Sequence, residues 1–188
     1  APHPNVHVLQ PNLAFYKRVG VDGVFEQASP YASNSDVEPL KTYLFGRGLR
    51  DPNFDWRTAY GEFLDHYYGP AAPQIDEYRE LLHERLRSSR MPLWFYNDLS
   101  WLDAGTVEQA QNIFESAFGV VDDDSIYAEH LAAANVPVQF AALVCPPRVY
   151  QEPDAYVFTR PASQTLQEYV GMLESRGVQF LNDYPLAL

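Results

Sequence analysis

The sequence predicts a mainly α fold with a small β component, and three observations carry that prediction. Apolar residues recur at helical spacing in several segments, most regularly at Trp56, Ala59, Tyr60, Phe63, Leu64 and Tyr67. Residues that start and stop helices bracket these runs, such as Asp55 before the first and Gly69-Pro70 after it. The β signal is confined to the front of the chain, where Asn5 to Leu9 and Val21 to Phe25 read as short strands on either side of a helix.

In that leading unit, Pro11-Asn12 opens an amphipathic helix over Leu13 to Val19, and Gly20 stops it. The result is a β-α-β unit. Val21-Asp22-Gly23-Val24-Phe25 then reads as a buried strand that leaves through Glu26-Gln27 into a polar loop, Ala28 to Ser35. In a (β/α)8 barrel, strand ends of this kind carry the ligand chemistry. Glu26 is therefore the candidate catalytic residue, against the alternative of a solvated or capping carboxylate. Neighbours on a strand point to opposite sides, so either Glu26 or Gln27 could face the interior.

Ser35 or Asp36 is placed to cap the next helix, with Pro39 in its first turn and Val37, Leu40 and Leu44 on its inner face. Asp55 caps the stripe from Trp56, and Ala71 to Arg87 follows as a third helix with Ile75, Tyr78, Leu82 and Leu86 inward and Arg79 among the residues mostly outward. These two helices should form an antiparallel hairpin. Met91 to Leu102 is dense in aromatics, and Trp94, Tyr96 and Trp101 are either a contact surface or core.

Thr106-Val107-Glu108-Gln109 is a capping box for a helix to about Phe118, with Val107, Ala110, Ile113, Phe114 and Ala117 inward. Asp122-Asp123-Asp124 lacks the alternating ligands and interior glycine of a calcium loop, and suits a helix N-terminus from Ser125 instead. That helix continues past Pro137 as an apolar element to Val144. Gln151 to Ala162 reads as a polar loop, and Thr165 starts a last helix carrying Leu166, Tyr169, Val170 and Leu173 on one face.

Composition narrows the function classes. A net charge of −12 with no basic stripe argues against nucleic acid, and no run approaches the length of a membrane span. Cys145 is the single cysteine, which rules out an intrachain disulfide and a CxxC zinc site. His3, His7, His66, His83 and His130 fall in neither HExxH nor HxH spacing, and the scattered glycines form no phosphate or dinucleotide loop. No cofactor and no metal are expected. The compartment stays open.

Several segments occur together in a known family. Val19 to Gln27, then Glu38-Pro39-Leu40-Lys41-Thr42-Tyr43-Leu44, Asp51-Pro52, and Phe63 to Pro73 with its Tyr67-Tyr68-Gly69-Pro70-Ala71-Ala72 run, resemble the bacterial domain of unknown function 4838. The resemblance extends over about Pro11 to Arg87 and more loosely through Ala128 to Leu143. That domain looks like the later part of a glycoside-hydrolase-type barrel, similar in arrangement to family 67 alpha-glucuronidases. The resemblance implies that residues 1–50 are the terminal β/α units of a (β/α)8-type barrel and that residues 51–188 form a helical C-terminal domain. It also implies a carbohydrate partner, uronic-acid-containing sugars included, and contact with the remainder of the barrel or another chain. On this reading Glu26 is the catalytic candidate, and Gln27, Asn12 and Tyr31 bind substrate. Because glycoside hydrolysis needs two carboxylates, the chain by itself is expected to be inactive. The alternative is a non-catalytic helical module that binds a glycan or a partner protein.

Overall fold

The computed structural model describes residues 2–25, 36–89, 101–145, 148–152, 155–158, 162–175, 180–181 and 184–185. The chain is mainly helical. Helix α1 spans Val6–Arg18, α2 Glu38–Arg50, α3 Trp56–Tyr68, α4 Ala72–Arg87, α5 Ala104–Phe118, α6 Ile126–Val144 and α7 Ala162–Ser175, with a 3-10 turn at Gly69–Ala71 between α3 and α4. Two small antiparallel hairpins complete the described elements: β1 (Arg148–Glu152) with β2 (Ala155–Phe158), and β3 (Phe180–Leu181) with β4 (Tyr184–Pro185). No described helix is long and apolar enough to cross a membrane.

The expected β-α-β unit is corrected at both strands. Asn5 to Leu9 lies in and just before α1, whose thirteen residues contain Pro11 in the interior instead of opening on it. The alternation at Val6, Val8 and Leu9 was too short to separate strand from helix, and Val6 and Leu13, seven residues apart, are the buried contacts of one helix face. Val21 to Phe25 is neither strand nor buried, with Phe25 86% exposed. The glycine stop held for a definite reason. Gly20 takes φ +80°, its N–H donates to the Lys17 carbonyl, and the Val21 N–H donates to Tyr16, the paired bonds of a Schellman ending.

Sequential helices pack on one another from α1 through α7, and α3 returns to touch α6. One core runs through α1 to α6, from Val6 to Ala142, and a second, smaller one joins Val136 of α6 to Tyr169 and Leu173 of α7. Gly48 is the point where α1 approaches α2 closely, because a Cβ there would collide with Leu13. The inward residues expected for α5 are all buried. Its cap, however, is Asp103, whose carboxylate accepts from the Thr106 N–H and hydroxyl at 2.7 and 2.8 Å, so the helix starts earlier than the Thr106 box suggested. Asp55 caps α3 as its position predicted, whereas α6 is capped by Ser125 itself and not by the aspartates before it. The last helix begins at Ala162, ahead of Thr165, and Leu166 on it is exposed, while the expected loop from Gln151 contains hairpin strand.

The α3–α4 hairpin forms, with a wetter aromatic face than the stripe implied. Ala59, Leu64 and Tyr68 are buried, whereas Tyr60, Phe63 and Tyr67 are half-buried, with Phe63 stacked on Tyr67 at 4.8 Å and Tyr60 edge-on to Trp56. His130 of α6 lies flat on Tyr67 at 3.6 Å and its Nδ1 bonds the Tyr67 carbonyl at 2.6 Å, so the proton resides on Nδ1. At the bend, Gly69 has φ +54°, and a Cβ there would sit 2.6 Å from the Tyr127 ring. Gly69→Ala should therefore lower stability by about 1–3 kcal/mol in urea unfolding, from left-handed backbone and a displaced ring together. An unchanged midpoint would contradict this account of the bend.

Candidate functional site

Of the sequence-predicted site residues, Asn12 is exposed on α1, and Glu26, Gln27 and Tyr31 lie outside the described residues. Trp94 and Tyr96 lie outside them too, while Trp101 is buried at 1% exposure and belongs to the core. The polar chemistry that the described chain does assemble centres on Asp36, the residue immediately after the 26–35 stretch.

Asp36 was expected as a helix cap and is instead a buried hub. The α2 N-cap is Val37, which makes no side-chain cap bond and sits at φ +46°, a conformation that β-branched residues rarely adopt. Two anchors hold it there. The Val37 side chain is buried in the core, and the preceding carboxylate is pinned on both oxygens. Oδ2 accepts from the His3 N–H at 2.8 Å, from Lys41 Nζ at 3.3 Å and from Arg79 Nη1 at 3.3 Å, while Oδ1 accepts from the Tyr78 hydroxyl at 3.3 Å. Lys41 also donates to the His3 carbonyl at 3.0 Å, so the N-terminal segment is gripped at both backbone polar groups of His3. Arg79 corrects the sequence reading, being 1% exposed and turned inward. Its Nε and Nη2 are buried without a hydrogen-bond partner among the described residues.

The electrostatics follow from one anion among two cations. Burial alone would raise the Asp36 carboxyl, but Lys41 and Arg79, with the His3 N–H, outweigh it and hold it down at about 2. Burial lowers Lys41 despite Asp36, and burial with the nearby Asp36 charge pushes the Tyr78 phenol well up. At neutral pH Asp36 is an ionised acceptor and cannot serve as a proton donor.

Beside the hub, His7 of α1 meets His83 of α4, with Nδ1 and Nε2 2.7 Å apart and the rings edge to face at 4.1 Å. Burial lowers both imidazoles, His83 to about 4, and Arg79 and Arg87 push the same way. The expectation from histidine spacing alone missed this pair because its members are far apart in sequence. A stripe at 75, 78, 79, 82 and 83 on α4 was the available signal, since it puts Arg79 and His83 on the apolar face.

A separate open cleft of about 500 Å³ lies between α4 and α5, lined by Glu77, Glu80 and Glu84 on one side and Gln109, Asn112 and Ser116 on the other, over Leu81 and Ile113. Among the described residues no group of three or more His, Cys, Asp or Glu side chains is disposed to hold a metal ion.

No curated protein and no solved structure matches the chain. Residues 1–80, which include α1 to α3, the start of α4, the Asp36 hub with Lys41 and Arg79, and Asn12, Glu26, Gln27 and Tyr31, match the model of a domain of unknown function, DUF4838.

Proposed function

We propose that the chain is the C-terminal part of a glycoside-hydrolase-like, carbohydrate-active protein, in which the helices buttress a sugar-site segment without completing a catalytic centre. The observation that supports this reading is the Asp36 hub. It immobilises the residue at the C-terminal base of the stretch carrying Glu26, Gln27 and Tyr31, and grips the segment leading into α1 and Asn12. A loop that binds a flexible polyol gains from a rigid base, because less ordering entropy is then lost on binding.

In this role Glu26 accepts hydrogen bonds from sugar hydroxyls or forms one member of a carboxylate pair. Gln27, Asn12 and Tyr31 supply amide and phenol contacts. Hydrolysis needs a proton donor on one side of the glycosidic bond and a base or nucleophile on the other. Asp36 is disqualified as the donor by its two cations. The full 188-residue chain, tested against aryl glycosides and uronide oligosaccharides, should bind weakly, lose binding in Glu26→Gln, and show no turnover. Turnover abolished by Glu26→Gln would overturn the non-catalytic part of the reading. Absence of any binding by the wild-type chain would overturn the sugar reading itself.

The α4–α5 cleft favours a second reading, a glycan-binding module whose hydroxyl contacts come from Gln109, Asn112 and the three glutamates. Binding that survives Glu26→Gln and is lost in Gln109→Ala with Asn112→Ala would select it.

A further inference from the structure

We propose that the N-terminal segment from Pro2 to Arg18 is an acid-released strap, latched to α4 by the hydrogen bond between His7 and His83. The bond joins residues 76 apart in sequence at 2.7 Å, so it is a tertiary fastening and not a local turn. Chemically it has one requirement. One imidazole nitrogen must carry the proton and the facing nitrogen must be bare, so the pair tolerates at most one added proton and is broken by the second.

The surroundings oppose even the first. His83 is buried on α4, where Arg79 and Arg87 of the same helix face the pair, and Asp36 and Glu80 are the nearby anions. Asp36 is already shared by Lys41 and Arg79, and Glu80 is mostly exposed, with Oε1 3.8 Å from His83 Nδ1. Added positive charge therefore meets two guanidiniums with little to neutralise it. Releasing α1 returns the buried His83 ring to water and frees both rings from each other, restoring ordinary basicity, near 6.5. Acid thus favours the released state.

The rest of the fastening is acid-resistant over the same range. The Asp36 carboxylate stays ionised down to about 2, so its grip on the His3 backbone persists while the histidine latch opens. α1 is otherwise held by Leu13 against Gly48 and by Gln10 Nε2 on the Pro52 carbonyl at 2.6 Å. Neither contact titrates. Opening of α1 also breaks these two contacts, so they set its cost at every pH while the histidine pair sets its dependence on pH.

Hydrogen exchange on the full chain tests this, with amide protection corrected for the intrinsic pH dependence. Between about pH 7.5 and about pH 5, protection across α1 should fall tenfold or more, as a histidine moving from about 4 to about 6.5 on release requires. Protection across α5, which contains no histidine, should change little. In His83→Gln the acid-dependent loss in α1 should shrink severalfold, and in His7→Gln, which alters an exposed side chain of α1, it should shrink by a smaller factor, because burial still holds His83 down when its partner is removed. Unchanged α1 protection in the wild type overturns the proposal. So does an equal loss in α5, or a loss that persists undiminished in the variants.

Discussion

Replacing Asp36 by Asn should lower the stability of the chain by about 3–5 kcal/mol, the typical result of removing one charge from a buried ion cluster. The size comes from what is left behind. Lys41 and Arg79 would face each other across a neutral amide in a site where two Arg79 nitrogens, Nε and Nη2, already have no hydrogen-bond partner among the described residues. Arg79→Met should cost less, because Asp36 keeps Lys41, the His3 N–H and the Tyr78 hydroxyl. Urea unfolding followed by circular dichroism gives both values, and the reverse order would refute the assignment of Asp36 as hub. The pH dependence adds a second check. A carboxyl whose folded value lies at about 2, below its ordinary value of 3.8, contributes fully above the higher figure and loses that contribution as pH falls toward the lower. The wild type should therefore lose stability over that interval, and Asp36→Asn should lack this part of the decline.

Trp101→Ala should cost about 3–5 kcal/mol, as expected for a large aromatic removed from a packed core. Trp101 is 1% exposed and lies in the main cluster, just ahead of Asp103 and α5. In a chain of this length a loss of that size lowers the melting temperature by roughly 10 °C. A ring serving as an exposed sugar platform would behave differently, since truncating it should change stability by less than about 1 kcal/mol. Thermal unfolding thus separates the two uses of this tryptophan that the sequence left open.

The helices were legible because their signals are local. Asp55 stands one residue before the helix it caps, and the Val107, Ala110, Ile113, Phe114, Ala117 stripe can be read from spacing alone. The front of the chain was misread where two periods compete over few residues. Val6, Val8 and Leu9 satisfy a strand for five positions, and only Leu13, one helical repeat beyond Val6, reveals the other period. The Asp36 hub was not legible at all. A carboxylate before a helix looks like a cap, and nothing near it announces a guanidinium 43 residues away. Arg79 itself offered the better clue, since a charged residue within an apolar stripe is expensive to bury unless a partner waits for it.

The contact between α3 and α6 sets the order in which such a chain can assemble. The described helices each touch the next one along the sequence, so much of their packing joins neighbouring elements, which keeps contact order down and favours fast folding. The stacking of His130 on Tyr67 departs from this pattern, and with Tyr127 over Gly69 it closes a loop of 63 residues. Loop closure grows only logarithmically with length, so the entropic difference from a short loop is modest. Its timing is what matters. The intervening α4 and α5 can form first and bring the two ends together, which makes the α3–α6 stitch a late event and places its residues among those whose loss speeds unfolding more than it slows folding.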